Sequence, residues 1–279
     1  MNSETGNTGV TSIPVAQLRE EIDDAHPPVV IDVRRREAFI ESTHLLSGAL
    51  RRDPASAHAW VKSLPTADSF VVYCAHGGSV SQDVARILRE HGLSARYLDG
   101  GIDAWASAQG ALDAKPRNAV TRWVTRERPK IDRIACPWLI TRFVDAEAEF
   151  LYVPTPQVLS VARESEAIPY DIPDVHFSHD GERCSFDAFV THYRLRDPAL
   201  AQLALIVRGA DTAHLELAPQ AAGLAAISLG LSRNFADDHA MLAHGMVVYD
   251  ALYRWCKEGR DEMHTWNPQA YETRVAEAA

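Results

Sequence analysis

Cys74 is the residue in this chain most open to chemistry, because of the run that surrounds it: Tyr73-Cys74-Ala75-His76-Gly77-Gly78-Ser79-Val80-Ser81. A thiol acts as a nucleophile through its thiolate, which is favoured where backbone N–H groups and a helix N-terminus converge on the sulfur. The residues before Cys74 read as a buried strand and those after it open a helix, so a tight loop carries the sulfur between them. Gly77 and Gly78 supply the dihedral freedom that such a loop needs. Ala75, His76, Gly77, Gly78 and Ser79 are therefore expected to cradle the sulfur, or an anion beside it, with their backbone. Cys136, Cys184 and Cys256 sit among apolar residues and are expected to be packed thiols.

A second constellation is cationic. Residues 117–133 (RNAVTRWVTRERPKIDR) hold six basic and two acidic residues. Only four of the chain's 28 Lys+Arg residues are lysine (62, 115, 130 and 257), so nearly all the positive charge is guanidinium. Planar guanidinium forks match tetrahedral oxyanions, and histidine adds a protonatable partner. Arg126, Arg133 and His176 are the expected oxyanion-binding residues, with Arg142 behind them; the plain alternative is a solvated face of salt bridges. His176, His179, Cys184, Asp211, the Asp237-Asp238-His239 cluster and His244 also offer metal donors. Their spacing matches no finger or HExxH motif. An ordinary polar surface accounts for most of them; if the second domain holds a metal ion, His179 with a nearby carboxylate is its place.

Two regions of different pattern must position these groups. Val29-Val30-Ile31 and Phe70-Val71-Val72-Tyr73 are short, β-branched or aromatic runs that read as buried parallel strands. Residues 13–22, 35–41 and 81–90 read as helices, the last with Val84, Ile87, Leu88 and His91 on one face, and 95–98 as another strand. This alternation predicts an α/β domain over residues 13–110, a parallel sheet flanked by helices. Residues 110–119 (GALDAKPRNA) are small, polar and Pro-containing, and read as a linker. A mainly α-helical (α+β) second domain is expected over 120–260. Its clearest helix runs over 237–256, where Leu242, Met246, Tyr249, Tyr253 and Cys256 recur on one face. Pro137 suits the first turn of another helix, and a little sheet is expected at 149–153 and 174–178.

Composition narrows the function classes. The chain has 279 residues, 46% of them hydrophobic, with 28 Lys+Arg against 38 Asp+Glu and a formal net charge of -10. That balance supports full cores and argues against a nucleic-acid binder, which needs a basic surface. No apolar run approaches 18 residues, and the N-terminal MNSETGNTGVTS lacks both a basic and an apolar leader segment. A membrane partner is therefore not expected. Four cysteines make no dense disulfide framework, so a cytoplasmic location is expected.

Residues 13–110 resemble a rhodanese-like sulfurtransferase domain. The resemblance rests on Val30-Ile31-Asp32-Val33-Arg34 with Glu37 and Phe39, on His44 and Gly48-Ala49, on Cys74 to Ser79, and on Tyr97-Leu98-Asp99-Gly100-Gly101-Ile102-Asp103-Ala104-Trp105. It implies that Cys74 takes sulfane sulfur from a small anionic donor such as thiosulfate, holds it as a persulfide, and passes it to a thiol or cyanide. Many members of that family carry Arg one and five residues after the cysteine, where this chain has Ala75 and Ser79. The missing guanidinium groups argue against efficient use of thiosulfate, and against a phosphatase.

From about 121 to 257 the chain resembles the C-terminal domain of the chromate-resistance ChrB family. The matching residues are Lys130 to Ile140 with Arg142-Phe143, Ile168-Pro169-Tyr170-Asp171, His179 with Cys184-Ser185-Phe186-Asp187, Ile206 to Asp211, and Tyr249 to Tyr253. This implies a role in resistance to chromate or a related oxyanion, with chromate itself as a partner to consider. The leading expectation is a sulfurtransferase working through Cys74 beside an oxyanion-resistance domain. The alternative is a chromate- or metal-binding sensor whose first domain is not catalytic.

Overall fold

A computed structural model describes residues 11–260, except 66 and 118. Most of the N-terminal stretch on which the leader reading rests lies outside the described residues. The first half is built from β1 (Ser12–Ile13), α1 (Val15–Ile22), β2 (Val29–Asp32), α2 (Arg36–Glu41), β3 (His44–Leu46) and β4 (Leu50–Arg51). It continues with α3 (Ala57–Trp60), β5 (Phe70–Tyr73), α4 (Ser79–Glu90), β6 (Ala95–Leu98), α5 (Gly101–Ser107) and β7 (Leu112–Ala114). Five strands form one parallel sheet in the order β1-β6-β5-β2-β4. Every residue of β2 and β5 is buried, as a parallel strand covered on both faces requires.

Strand alternation divides the side chains between two cores. Val29, Ile31, Phe70 and Val72 point into one; Val30, Val71 and Tyr73 point into the other with Leu18, Ile102 and Trp105. On α4 the buried stripe is Ser81, Val84, Ala85 and Leu88. Ile87 is half-buried and His91 is exposed, its ring Nδ1 2.9 Å from Ile87 O at the helix end, so His91 does not join the inner face.

The second half contains β8 (Arg122–Arg126), α6 (Asp132–Leu139), β9 (Glu149–Val153), α7 (Val158–Glu164), β10 (Ile168–Pro169), α8 (Ser185–His192), α9 (Pro198–Asp211), α10 (Ala221–Asn234) and α11 (Asp238–Arg254). It is predominantly helical, with a three-stranded parallel sheet in the order β10-β8-β9. The expected strand at 149–153 forms. The one expected at 174–178 does not: there Phe177 alone makes a single bridge, to Tyr170. On α11, Leu242 and Tyr249 are buried and Met246 and Tyr253 half-buried, and Cys256 is buried just beyond the helix.

Pro137 lies in the interior of α6 rather than in its first turn. Proline has no N–H for the carbonyl four residues back, which is that of Arg133. The Tyr170 hydroxyl lies 3.4 Å from Arg133 O and takes the place of the missing donor.

Within the stretch expected to link the two domains, three residues form a strand. Leu112–Ala114 pairs antiparallel with His44–Leu46. Next to it Lys115 is buried, its ammonium 2.6–3.2 Å from the carbonyls of Ile40, Ser42, Pro116 and Ala119. Composition marks this stretch as polar, but a strand's backbone pairs whatever its side chains, and a ring of carbonyls can hold a buried ammonium. The two halves also share a core, since Val29, Ile31 and Phe70 belong to the same buried cluster as Trp123, Ile134 and Phe189. Arg52 closes the contact. Its guanidinium donates to Phe143 O (2.9 Å) and Val144 O (3.3 Å), where the helical turn after α6 ends.

Candidate active site and a carboxylate–histidine cluster

Cys74 follows the last residue of the central strand β5, at the carboxyl edge of the sheet, where parallel α/β folds place their ligands. Its side chain is 8% exposed, so it is sheltered yet reachable. Burial pushes the Cys74 thiol up. Hydrogen bonds from the Ser81 hydroxyl and from the backbone N–H groups of Ser81, His76 and Gly78 outweigh that effect and bring it below the ordinary thiol value. Ser81 Oγ lies 3.2 Å from Cys74 Sγ.

Of the five residues expected to form the cradle, His76 and Gly78 thus supply donors to the sulfur. Ser79 is exposed as the first residue of α4, Ala75 is half-buried, and Gly77 shapes the turn. Gly77 has φ +71°, and a Cβ there would lie 2.7 Å from Leu98 O and 2.8 Å from Gly100 N. The His76 side chain turns outward, with Nδ1 2.7 Å from Asp103. Sequence reasoning missed Ser81; its signal was its place in the first turn of a helix that begins beside Cys74.

The loop is held from both sides. Ile102 N donates to Cys74 O (3.0 Å) and Asp103 N to Ala75 O (3.2 Å), which ties it to the start of α5. Beneath it, the buried Asp32 accepts from the Arg34 side chain (Nη2 at 2.5 Å) and from the Tyr73 hydroxyl (2.9 Å), which itself accepts Leu46 N (3.1 Å). Arg34, Arg51 and Lys115 all face the ring of Phe39, the closest being Arg51 at 4.4 Å.

The expected oxyanion trio is divided. Arg126 and Arg133 meet, but on Asp171: Arg126 Nη2 is 2.6 Å and Arg133 Nε 3.2 Å from the same carboxylate oxygen. Other arginines of the basic stretch are engaged too, Arg122 with Glu149 and Arg128 with the carbonyls of Phe235 and Ala236. His176 sits elsewhere, its Nε2 2.9 Å from His192 Nδ1, while His192 Nε2 is 3.0 Å from Asp113 of β7. Burial and the neighbouring His192 lower the basicity of His176. Three of the six basic residues of the stretch, Arg122, Arg126 and Arg133, thus end in ion pairs, because their acidic partners come from distant segments. Arg142 likewise pairs with Asp250 at 2.8 Å.

His179 does find a carboxylate, and more than one. Its Nε2 lies 3.2 Å from Asp211 and 3.4 Å from both Asp132 and Asp171. Asp132 opens α6, Asp211 ends α9, and His179 precedes a short turn in which Asp180 and Arg183 bridge. Burial, relieved in part by His179, pushes the Asp132 carboxyl up to about 8. The nearby Asp132 carboxylate in turn holds His179 up at about 9. The Asp237-Asp238-His239 run serves other ends: Asp237 caps α11 through Ala240 N, and Asp238 accepts Arg128 N. Cys136 and Cys184 are packed thiols whose burial pushes them well above the ordinary range, and burial raises Cys256 to about 11.

A parallel sheet with a cysteine loop at its carboxyl edge defines the first half as rhodanese-like, and residues 14–108 match the family model for the rhodanese-like domain. Residues 123–256 match the model described as ChrB, C-terminal domain, so the chain joins a rhodanese-like domain to a ChrB C-terminal domain. A relative of the second half is Protein ChrB from Cupriavidus metallidurans, 33% identical over 135 residues. That match covers 47% of this chain and 40% of the relative, so the chain spans well under half of the relative's length. Among solved structures, a rhodanese-related protein from Thermoplasma volcanium is 25% identical, with a TM-score of 0.33 over 37% of this chain and 97% of its own. A thiosulfate sulfurtransferase from Pseudomonas aeruginosa is 18% identical, with a TM-score of 0.34 over 40% of this chain and 20% of its own. Among the described residues no helix is long and apolar enough to cross a membrane.

Proposed function

We propose that this chain is a sulfurtransferase that carries sulfane sulfur as a persulfide on Cys74, and that its ChrB-type half ties this chemistry to resistance against chromate or a related oxyanion. The observation that carries the reading is the convergence of one hydroxyl and three backbone N–H groups on the Cys74 sulfur. These donors favour the thiolate, and the same groups face the negative charge of a persulfide. The thiolate attacks the outer sulfur of a small anionic donor, the donor's S–S bond breaks, and the remainder leaves with the electron pair; with thiosulfate that product is sulfite. A thiol or cyanide then attacks the outer sulfur of the persulfide and restores the Cys74 thiolate. Ala75 and Ser79 provide no guanidinium for a doubly charged donor, so a persulfide donor is expected to outperform thiosulfate. The four cysteines, all free and buried, fit the reduced cytoplasm as the place of action.

The test is sulfur transfer to cyanide, from thiosulfate and from a glutathione persulfide, by the wild type and Cys74→Ala. A wild-type rate no higher than that of the variant with both donors sinks the reading. In the second half, an oxyanion held by Arg126 and Arg133 has to displace Asp171. Calorimetric titration with chromate, repeated on Arg133→Ala, tests that contact: heat lost in the variant supports it, and no heat in the wild type removes it.

A further inference from the structure

Three carboxylates face the His179 imidazole, and they are not equivalent. Asp171 is fully engaged, since one oxygen takes Arg126 and Arg133 and the other accepts the Ser185 hydroxyl at 3.0 Å. Asp132 is 2% exposed, and its Oδ2 has no hydrogen-bond partner although it points at His179 Nε2 from 3.4 Å. A buried carboxylate oxygen without a donor is costly and calls for an explanation, a bound ion being one that also accounts for the neighbouring ligand atoms. Asp211 completes the group: one donor atom each from Asp132, His179 and Asp211 lie within 4.8 Å of one another.

We propose that Asp132, His179 and Asp211 bind a divalent first-row transition-metal ion, with Asp171 kept out of the ligand set by its ties to Arg126, Arg133 and Ser185. Bonds of about 2.0–2.2 Å to a tetrahedral ion put neighbouring ligand atoms about 3.3–3.6 Å apart. The His179 separation of 3.4 Å to Asp132 fits such an edge, and that of 3.2 Å to Asp211 falls just short of one. One imidazole nitrogen and two carboxylate oxygens suit Zn2+, Mn2+ or Fe2+ rather than a thiophilic ion. Three protein ligands leave a coordination position for water or a small anion. His179 is 41% exposed, which gives the ion a way in, whereas Asp132 forms the closed floor.

The floor is built with some strain. Ile131, just ahead of Asp132, has φ +43°, which a β-branched residue adopts only under constraint. Remote helices hold both of its backbone groups: Ser228 Oγ accepts Ile131 N at 3.0 Å, and the Tyr249 hydroxyl donates to Ile131 O at 2.7 Å.

The experiment uses the full chain, stripped with a chelator and titrated calorimetrically with Zn2+ and separately with Mn2+. One ion per chain is expected, with affinity reduced about 100-fold or more in His179→Ala and in Asp132→Asn. His179 is on the surface, so its loss leaves the fold intact; a thermal melt of each metal-free variant verifies this. Co2+ substitution should give the visible bands of a nitrogen–oxygen site without thiolate-to-metal charge transfer, which separates this cluster from Cys136 and Cys184. Absence of saturable binding of either ion, unchanged affinity in His179→Ala, or a thiolate band would each overturn the assignment. The Cys74 assay does not bear on this result.

Discussion

Ser81 Oγ lies 3.2 Å from Cys74 Sγ and 3.1 Å from Gly78 O, and its one hydrogen can serve only one of them at a time. While Cys74 is a thiol, its S–H can donate to the Ser81 oxygen and the hydroxyl donates onward to Gly78 O. Once the thiol ionises, the hydroxyl hydrogen turns to the sulfur. The serine thus answers to the charge on the Cys74 sulfur, while the N–H groups of His76, Gly78 and Ser81 stay aimed at it.

Ser81→Ala removes the movable donor and leaves the three backbone donors. A hydrogen bond to a charged group contributes about 1.5–3 kcal/mol, so alkylation of Cys74 by iodoacetamide at neutral pH should slow by about tenfold or more. In the wild type the folded thiol ionises below its ordinary value, so alkylation should level off at lower pH than for a free cysteine. In Ser81→Ala the rise should move to higher pH. Identical pH profiles for the two proteins would show that the serine does not tune the sulfur.

Gly101 has φ +59°, and a Cβ there would run into Cys74 O and lie 2.5 Å from Ala75 O. Gly101→Ala should therefore push the Cys74 loop away from α5, at a cost of about 1–3 kcal/mol in stability. Sulfur transfer should fall more than tenfold, and urea unfolding together with the transfer assay would register both effects. Full activity with unchanged stability would refute the close approach.

Tyr73→Phe deletes a buried hydroxyl that bonds both Asp32 and Leu46 N. The loss should be about 2–3 kcal/mol, at the upper end for a pair of hydrogen bonds of which one is charged. Asp32→Ala should be worse, by about 3–5 kcal/mol, because it leaves the buried Arg34 without its carboxylate. Chemical denaturation of the two variants would reveal whether that order holds.

Lys115→Met keeps the bulk of the side chain but strips a donor from four carbonyls. Stability should fall by about 2–4 kcal/mol, and proteolysis should then cut near residues 110–119. A slack linker would instead tolerate the change and be cut equally fast in both proteins.

What was legible in the chain itself was local. Runs such as Phe70 to Tyr73, followed at once by the glycines and helix start after Cys74, specify strand, loop and helix through neighbouring residues. The place of Cys74 at the strand end and most of its surroundings could be read that way, as could the parallel sheet and the helical second half. Tertiary structure alone decided which distant charges meet. Arg126 and Arg133 looked free for an anion until Asp171 arrived between them, and His176 left them for His192 and, through it, Asp113. Asp132, His179 and Asp211 come together from the start of one helix, a loop and the end of another helix. Helical and strand periods govern partners a few residues apart. No such period links residues tens of positions apart, whose meeting depends on how whole elements pack.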